Sequence, residues 1–341
     1  MNVFELTRAL IDIESVTNSE SRVGDYLFTH LSNLAKRYAG RVERMEVEPA
    51  RFNVLAYWGQ PAVTLSTHMD TVPPFFPSRE DEKTIWGRGA CDAKGIIAAM
   101  IAAAEKLLAA GKKNFGLLFV VGEEVNGAGA LVAAKNPRGS RYLINGEPTE
   151  NQIALGSKGA LRYEITATGR AAHSAYPELG HSAIETLLDV LHEIRNIKLP
   201  VDELLGRSTL NIGTIKGGRA PNVIADHAQA EIMLRLVGSA APIREALAQV
   251  LAGRAEGREQ YTTPAQRLEP FPGLPTTVVS FTTDIPSFGT AWGKPFLIGP
   301  GSIHAAHTAD EHIPKQQLLQ AVDIYAAMVT SLTSGKFETH V

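Results

Sequence analysis

Short apolar runs and longer helical patterns alternate through the first 150 residues of the chain. Three runs have the length and composition of buried strands, at residues 61–67, 115–122 and 141–146. Between them, residues 94–110 and 127–135 carry alanine-rich patterns of helical length. Strands that alternate with helices in this way predict an α/β layer whose strands are mostly parallel.

The pattern changes after residue 158, where apolar and polar positions alternate over longer stretches. Strands are predicted over 160–169, 208–218 and 227–238, and helices over 181–195 and 241–252. A further strand near 259–263 completes a β-α-β-β-α-β order. This order predicts a compact α+β insertion in the α/β layer.

The last part of the chain returns to the first pattern. A turn-rich stretch at 264–275 is followed by an apolar run and a closing helical pattern. We therefore predict a discontinuous first domain formed by residues 1–157 and 268–341, and an inserted domain formed by residues 158–267.

Composition is that of an ordinary globular protein. The length of 341 residues suggests two domains, and 33 basic against 36 acidic residues give a formal net charge of −3. This near balance gives no support to the binding of nucleic acid or of an anionic membrane. The single cysteine, Cys91, excludes a disulfide within the chain and is typical of a reducing compartment.

The N-terminal sequence lacks the basic and continuously apolar regions of a secretory signal. The most apolar window, GIIAAMIAAAEKLLAAG, is interrupted by Glu105 and Lys106 and is too short to cross a bilayer. We therefore expect a soluble, cytoplasmic protein that does not associate with membranes.

Ionisable side chains follow each predicted strand of the first domain. They are His68 and Asp70, Asp92 at the start of the alanine-rich helix, Glu123 and Glu124, Glu147, and a distant group of His304, His307, Asp310, Glu311 and His312. The carboxyl ends of parallel strands meet at one edge of a sheet, so these groups are predicted to share one crevice. Several carboxylates there would repel one another unless a cation compensates their charge.

The mixture of imidazole and carboxylate groups in this crevice suits zinc, with cobalt or manganese as alternatives. Three carboxylates and one bridging hydroxide neutralise two divalent ions, which two-metal hydrolases hold about 3.5–4 Å apart. One carboxylate beyond the ligands is then free to move protons. The pair Glu123 and Glu124 supplies it, because adjacent residues at a strand end do not easily occupy the same position.

Five short motifs resemble the motif series of a dinuclear zinc family, and they occur in the order STHMDTVP, GRGACDAKG, GEE, GEPT and GPGSIHAAHTADE. The family contains acetylornithine deacetylases, succinyl-diaminopimelate desuccinylases, aminoacylases and glutamate carboxypeptidases. The resemblance spans nearly the whole chain and implies a zinc-peptidase-like catalytic domain with a mostly parallel mixed sheet flanked by helices. The insertion would be the family's ferredoxin-like α+β lid and dimerisation domain.

The resemblance implies two divalent metal ions per chain, zinc first and cobalt as the alternative. Asp92 would bridge the two ions, His68 and Glu147 would complete one site, and Glu124 and His307 would complete the other. Asp70 would not bind a metal itself but would orient the His68 ring by accepting a hydrogen bond from it. Glu123 would be the general base that takes a proton from the metal-bridging water and passes it to the leaving amine.

The segment GRAAHSAYPELGHSAIE resembles the family's lid motif, whose histidine reaches across a dimer interface to the scissile carbonyl. His173 is the matching residue and would donate to the developing oxyanion. Asn222 of GGRAPNVIAD and Arg235 of IMLRL match residues that bind the substrate and hold its carboxylate. Gly301 and Ser302 would offer backbone donors to the same anion. The resemblance thereby implies a homodimer joined through the lid domain.

The residues and the resemblance together predict a metal-dependent amidohydrolase that removes the acyl group from an N-acyl amino acid, with a metal-activated water attacking the amide carbonyl. Acetylornithine, acetyllysine and acetylcitrulline are the expected kinds of substrate, and Asp284 is a candidate partner for a distal ammonium group. The alternatives are a succinyl-diaminopimelate desuccinylase, a dipeptidase or carboxypeptidase on the same scaffold, and a non-catalytic metal-binding protein. An aminopeptidase is disfavoured because it would not need the inserted lid.

Overall fold

The computed structural model describes residues 1–334, which divide into two compact units. The first unit comprises Met1–Leu155, Leu268–Thr277 and the residues from Thr283 onward, and the inserted unit comprises Gly156–Arg267 and Val278–Thr282. The division after Leu155 lies two residues before the predicted boundary, and the division after Arg267 lies at the second predicted boundary. Val278–Thr282, which the prediction placed in the first domain, belong to the inserted unit, where Val279 O accepts a hydrogen bond from Lys158 N at 3.2 Å.

Helices and strands are numbered separately in chain order. The helices are α1 (Val3–Ile11), α2 (Ser21–Tyr38), α3 (Lys94–Ala109), α4 (Ala128–Lys135), α5 (Ala183–Arg195), α6 (Ala241–Leu251), α7 (Ile285–Phe288) and α8 (Lys315–Thr333), with a 3₁₀ turn at Pro177–Leu179. The strands are β1 (Arg41–Glu48), β2 (Arg51–Trp58), β3 (Val63–His68), β4 (Arg79–Glu80), β5 (Thr84–Trp86), β6 (Phe115–Val120), β7 (Tyr142–Asn145), β8 (Ile153–Ser157), β9 (Gly159–Thr168), β10 (Val201–Asp202), β11 (Gly206–Arg207), β12 (Thr209–Gly217), β13 (His227–Leu236), β14 (Glu256–Thr263), β15 (Gln266–Arg267), β16 (Thr276–Val279), β17 (Lys294–Leu297) and β18 (His312–Pro314).

The first unit is built on a six-stranded mixed sheet with the order β1-β2-β6-β3-β7-β17. Strands β6, β3, β7 and β17 run parallel to one another, and the β1–β2 hairpin adds an antiparallel edge. The register pairs His68 with Val120 and Ser66 with Asn145, so the carboxyl ends of β3, β6 and β7 lie side by side. This arrangement confirms the predicted α/β fold with a mostly parallel sheet.

Strand β6 shows why the central strands are continuous apolar runs in the sequence. Leu117 and Phe119 belong to a core that also contains residues of α1, α2, α3 and α8, whereas Leu118 and Val120 belong to a second core with residues of α4 and with Trp292. Successive side chains of a strand point to opposite faces, so a strand that is covered on both faces needs apolar residues throughout. Burial of such side chains stabilises the sheet by ~1.5–3 kcal/mol each and fixes the edge from which the site residues project.

The inserted unit is a four-stranded antiparallel sheet in the order β12-β13-β9-β14, with helices α5 and α6 packed against it. Alternate residues of β13, among them Ala230, Ile232 and Leu234, are buried in a core shared with these helices. Apart from the small β10–β11 hairpin, the order of elements is that of the predicted ferredoxin-like domain. Strand β14 begins at Glu256, three residues before the predicted position 259.

The alanine-rich helix α3 lies inside the first unit, where it packs against α1 and α8. Its residues Ile96, Ile97 and Met100 are fully buried, which explains why nearly every position of the helix is apolar. Within residues 1–334, no helix is both long enough and apolar enough to span a bilayer.

Candidate metal centre

Ionisable side chains gather where the central strands of the first unit end. They are His68 at the end of β3, Glu123 and Glu124 after β6, Glu147 after β7, His307 after β17, and Asp92 just before α3. Because neighbouring parallel strands end at the same edge of the sheet, residues that are far apart in sequence come together here.

Asp92 lies between two imidazoles, with one ring at each carboxylate oxygen. His68 Nε2 is 2.8 Å from Asp92 Oδ1, and His307 Nε2 is 3.3 Å from Asp92 Oδ2. Two ligand atoms that bind one tetrahedral zinc at ~2.0–2.1 Å are themselves about 3.3 Å apart. The positions of these atoms therefore fit an aspartate that bridges two ions, each of which also has one histidine ligand.

Glu124 and Glu147 supply further carboxylate oxygens. Glu124 Oε1 is 3.1 Å from His307 Nε2, and one ligand atom each from His68, Asp92 and Glu124 lie within 4.8 Å of one another. Glu147 is 4% exposed, and its buried Oε1 has no hydrogen-bond partner. An unpaired carboxylate oxygen inside a protein is costly, and a bound cation would satisfy it. The donor set therefore fits divalent ions that accept both nitrogen and oxygen ligands.

Asp70 is a fully buried carboxylate that holds the loop carrying Glu123 and Glu124. Its Oδ1 accepts a hydrogen bond from Glu123 N at 3.1 Å, and its Oδ2 accepts from Glu124 N at 3.2 Å and from Thr17 Oγ1 at 2.8 Å. His68 Nδ1 is 3.0 Å from the backbone oxygen of Asp70 and 3.5 Å from its Oδ1. Asp70 thus orients the His68 ring and also fixes the next loop of the site, a second role that the sequence analysis missed.

The negative charge of Asp92 stabilises the protonated form of the two histidines, and their positive charge stabilises the ionised form of Asp92. Burial alone would lower the pKa of His68, but hydrogen bonds with Asp70 and Asp92 raise it well above its usual value. Burial would raise the pKa of Asp92, but hydrogen bonds with His307 and His68 lower it. Hydrogen bonds with Asp92 and Glu124 raise the pKa of His307 to about 10. Without metal, protons on the two rings therefore supply the positive charge that the carboxylates need.

The pKa values of the three glutamates Glu123, Glu124 and Glu147 shift in the opposite direction to that of Asp92. Burial, and next the charge of Glu147, raise the pKa of Glu123 well above its usual value. Burial also raises the pKa of Glu147 and of Glu124, and the charge of Asp92 adds to both shifts. In the metal-free protein, burial thus favours the protonated form of these three carboxyl groups.

The loop that carries Gly301 and Ser302 lies against the segment that carries Asp92. Gly301 has a φ of 89°, and a Cβ at this position would lie 2.5 Å from Cys91 Cβ, so both the conformation and the close approach require glycine. The N–H of Gly301 donates to Gln317 Oε1 at 2.7 Å. Binding of a substrate anion by Gly301 would require this bond to open, and the roles of Gly301 and Ser302 stay predictions.

His173 and Asn222 lie on neighbouring loops of the inserted unit. His173 pairs with Val223 in an isolated β-bridge, and Ser174 N donates to Asn222 O at 3.0 Å. His173 is exposed, and its Nδ1 accepts a hydrogen bond from Ala175 N at 3.1 Å. In the neutral ring the proton is therefore on Nε2, which is the tautomer that can donate outward.

Arg235 and Asp284, the two remaining candidates for contact with the substrate, lie in different units. Arg235 is on the central strand β13, opposite Thr209 on β12 and Ala160 on β9. Asp284 precedes α7 in the first unit and is only 3% exposed. Burial raises the pKa of Asp284 to about 7, so the side chain is partly protonated near neutral pH. Contact of either residue with a substrate stays a prediction.

Arg88 and Glu311 form a buried ion pair next to the site that the sequence analysis did not anticipate. They are 2% and 0% exposed, and Arg88 Nη1 is 2.6 Å from Glu311 Oε2. The only signal in the sequence was the position of Glu311 within the motif that contains His307.

Known proteins resemble this chain over most of its length. The profile of peptidase family M20/M25/M40 matches residues 64–331. A peptidase M20 domain-containing protein of Schizosaccharomyces pombe is 40% identical over 339 residues, which cover 96% of this chain and 84% of the relative. A probable carboxypeptidase of Aspergillus niger is 36% identical over an alignment of 366 residues, which spans 94% of this chain and 88% of the relative.

A solved structure shares the fold along nearly its full length. It is the M20 family metallo-carboxypeptidase Sso-CP2 from Sulfolobus solfataricus, with a TM-score of 0.79 at 16% identity. The superposition covers 97% of this chain and 99% of that chain.

Proposed function

This chain belongs to the peptidase family M20/M25/M40, and from this membership and the geometry of its site we propose that it is a two-metal hydrolase of amide bonds. The nitrogen of the amide would belong to an amino acid with a free carboxylate. The observation that carries the proposal is Asp92, whose two oxygens each face one imidazole. The buried oxygen of Glu147 that has no hydrogen-bond partner supports the proposal, because it offers one more carboxylate ligand beside His68 and Asp92.

Two divalent ions held by these ligands would polarise the amide carbonyl and make a water molecule nucleophilic near neutral pH. Glu123 takes the proton from the attacking water and delivers it to the leaving amine, since it is the one carboxylate of the GEE motif that is not needed as a ligand. Asp70 holds the Glu123 backbone in place by its bond to the Glu123 N–H. His173, with its proton on Nε2, donates to the oxyanion that develops on the carbonyl oxygen.

Arg235 is the proposed partner of the substrate carboxylate. Backbone donors at Gly301 and Ser302 are the second candidate for this task, and Gly301 N would first have to release Gln317 Oε1. A guanidinium group suits this task because its planar fork forms paired, charge-assisted hydrogen bonds with a carboxylate. Asn222 would contact the substrate from the same loop pair as His173. These assignments favour a dipeptide, a peptide C-terminus or an N-acyl amino acid as substrate.

Among these substrates we place peptides first. The Aspergillus niger relative is named a probable carboxypeptidase, and the Sulfolobus protein is a metallo-carboxypeptidase. N-acetyl amino acids with a basic side chain, such as acetylornithine or acetyllysine, are the second candidate, because the buried carboxyl of Asp284 offers a partner for a distal ammonium group. Desuccinylation of succinyl-diaminopimelate is the third.

A substrate panel tests the proposal. The protein is stripped with chelator, reloaded with zinc or cobalt, and offered dipeptides, N-acetylornithine, N-acetyllysine, N-acetylcitrulline and N-succinyl-diaminopimelate. We expect hydrolysis only after metal is restored, at about two ions per chain. The same dipeptides with an amidated C-terminus are the control, and they should react poorly. Metal-loaded protein that hydrolyses none of these compounds would overturn the proposed activity and favour a binding role.

We also propose that two copies associate through the inserted unit. Helix α5 and strand β12 border an apolar groove of about 230 Å³, at which Leu188 and Ile215 are 53% and 54% exposed. Strand β12 is at the edge of its sheet, so a second copy related by a two-fold axis could extend the sheet and cover the groove. Light scattering should give the mass of a dimer for the native protein and of a monomer for Ile215→Lys. A native monomer at working concentration would refute this assembly.

A further inference from the structure

Glu311 is a fully buried carboxylate that binds the backbone of the segment carrying Asp92. Its Oε1 accepts hydrogen bonds from Gly89 N at 3.0 Å, Asp92 N at 3.2 Å and Cys91 N at 3.3 Å. Buried N–H groups need an acceptor, and this segment turns too sharply before α3 to find one in regular secondary structure. One side chain therefore satisfies three backbone donors around Asp92.

Arg88 balances the charge of Glu311. Its Nη1 is 2.6 Å from Glu311 Oε2, and its Nε donates to Pro74 O at 3.2 Å. Arg88 is itself only 2% exposed. A buried carboxylate is stable when an opposite charge and hydrogen-bond donors surround it, and both oxygens of Glu311 have such partners. Glu311 is thus engaged by the protein itself and is not a free metal ligand.

Glu311 also connects the Asp92 segment to the loop of His307, which lies four residues earlier in the chain. The backbone oxygen of Glu311 accepts from Gly87 N at 3.0 Å, and the next residue, His312, pairs with Trp86 between β18 and β5. His307 has a φ of 64°, a left-handed conformation that a histidine keeps only when the surrounding structure enforces it.

We propose that Glu311 is a positioning residue that fixes Asp92 relative to His307 and thereby sets the geometry of the metal position that these two residues share. The inference rests on the proposed function, because it takes Asp92 and His307 as ligands of one ion. Metal–ligand distances are defined to about 0.2 Å, so even a small displacement of the Asp92 backbone would change the coordination. A residue that only contributed to folding would change stability and leave the coordination as it is.

Metal affinity and a cobalt spectrum distinguish these two roles. Competition with a chromogenic chelator gives the affinity for each zinc ion, and the visible absorption of cobalt-loaded protein reports its coordination geometry. In Glu311→Gln an amide faces Arg88, and we expect one zinc ion to bind 10–100-fold more weakly, as when an outer-shell partner is lost. The cobalt spectrum should change with it, and the other ion should bind with near-native affinity.

Leu27→Ala is the control, because Leu27 is fully buried in α2 and its truncation lowers stability by removing core packing alone. This variant should keep both zinc affinities and the native cobalt spectrum despite its lower Tm. Arg88→Lys is the second test variant, since it keeps the charge opposite Glu311 but loses the planar fork. Arg88→Lys should show a smaller change of zinc affinity and of the cobalt spectrum in the same direction. If Glu311→Gln does not fold, Arg88→Lys by itself tests the positioning role.

Native zinc affinities and a native cobalt spectrum in the folded variants, with only a reduced Tm, would overturn the positioning role. Failure of the native protein to bind zinc or cobalt would instead overturn the proposed function. Measuring the native protein first therefore separates the two failures.

Discussion

The two units of the molecule hold their candidate functional residues in different ways. In the first unit, buried carboxylates lie behind the candidate ligands: Asp70 accepts hydrogen bonds from Glu123 N and Glu124 N, and Glu311 accepts one from Asp92 N. In the inserted unit, His173 is exposed, and its ring accepts a hydrogen bond from a residue only two positions away. Asn222 is exposed as well.

This difference follows from what each group has to do. Metal ligands must be held to within about 0.2 Å of their working positions, so they need a buried and fully hydrogen-bonded support. Residues that recognise a substrate must remain accessible, and surface loops carry them at lower precision. We therefore expect substitutions in the first unit to change metal binding or proton transfer, and substitutions in the inserted unit to change turnover or substrate affinity with the metals in place.

The largest effect is expected for Glu123→Ala. Removal of a general base typically lowers kcat by ~10²–10⁴-fold, while the metal content should stay native because Glu123 is not among the proposed ligands. Steady-state kinetics and metal analysis of the purified variant measure both. Glu46→Ala removes an exposed carboxylate from β1 and should behave as native. A native kcat in Glu123→Ala would show that another group is the base.

His173→Ala tests the inserted unit. Loss of one oxyanion donor should lower kcat by about 10²–10³-fold and leave the affinity for zinc unchanged. His192→Ala, at an exposed position of α5, is the matched control and should keep native kinetics. Loss of bound metal in His173→Ala would contradict the division of roles between the two units.

Asp70→Ala tests the support behind the ligands. It removes the acceptor for two backbone N–H groups and a partner of His68, and we expect zinc affinity to fall by roughly 10–100-fold. Thr17→Ala removes only one of the hydrogen bonds to Asp70, so its effect on zinc affinity should be smaller but in the same direction. Titration of both variants with zinc in the presence of a competing chelator gives the comparison. Native affinity in Asp70→Ala would mean that the ligands need no such support.

Arg235→Ala should raise KM by about tenfold and change kcat less, because the contact with a distant carboxylate contributes similarly to the ground state and the transition state. The variant and the native protein should differ in KM for a dipeptide with a free C-terminus. For the same dipeptide with an amidated C-terminus, their KM values should be equal. An equal loss on both substrates would assign Arg235 to the structure of β13 instead.

The smallest effect concerns pH and metal removal. In the metal-free protein, burial raises the pKa of Glu147 and hydrogen bonds raise that of His307 to about 10, so the folded state holds protons that the unfolded chain releases as the pH rises. When the pKa of a group is higher in the folded state than in the unfolded chain, the folded protein becomes less stable as the pH rises from the lower value to the higher one. Metal ligation requires the deprotonated groups and should therefore remove this loss of stability with rising pH.

We therefore expect the Tm of chelator-treated protein to fall by roughly 2–4 °C more than that of metal-loaded protein between about pH 5.5 and pH 8.5. Differential scanning calorimetry of both forms across this range measures the effect. Parallel curves for the two forms would contradict the proposed ligation of Glu147 and His307.

The fold class could be predicted from the sequence, because the pattern of apolar and polar residues within single strands shows which faces of each strand are buried. The continuous apolar run of β6 indicated a strand covered on both faces, and the alternation in β13 indicated a strand covered on one face. The ordered motifs indicated the dinuclear zinc family, and the match of residues 64–331 to the peptidase family profile confirms that resemblance. The hairpin of β1 and β2 was not predicted as such, since its strands find their place in the sheet only by pairing with β6.

The sequence by itself indicated which residues could carry the chemistry, because imidazole and carboxylate groups follow several apolar strands and the ordered motifs resemble those of a known family. Only the tertiary structure decided how those residues are held. Asp70 binds the backbone of Glu123 from 53 positions away, and Glu311 binds that of Gly89 from 222 positions away. The partner of a buried carboxylate depends on which loops the sheet brings together, and no local periodicity encodes that contact.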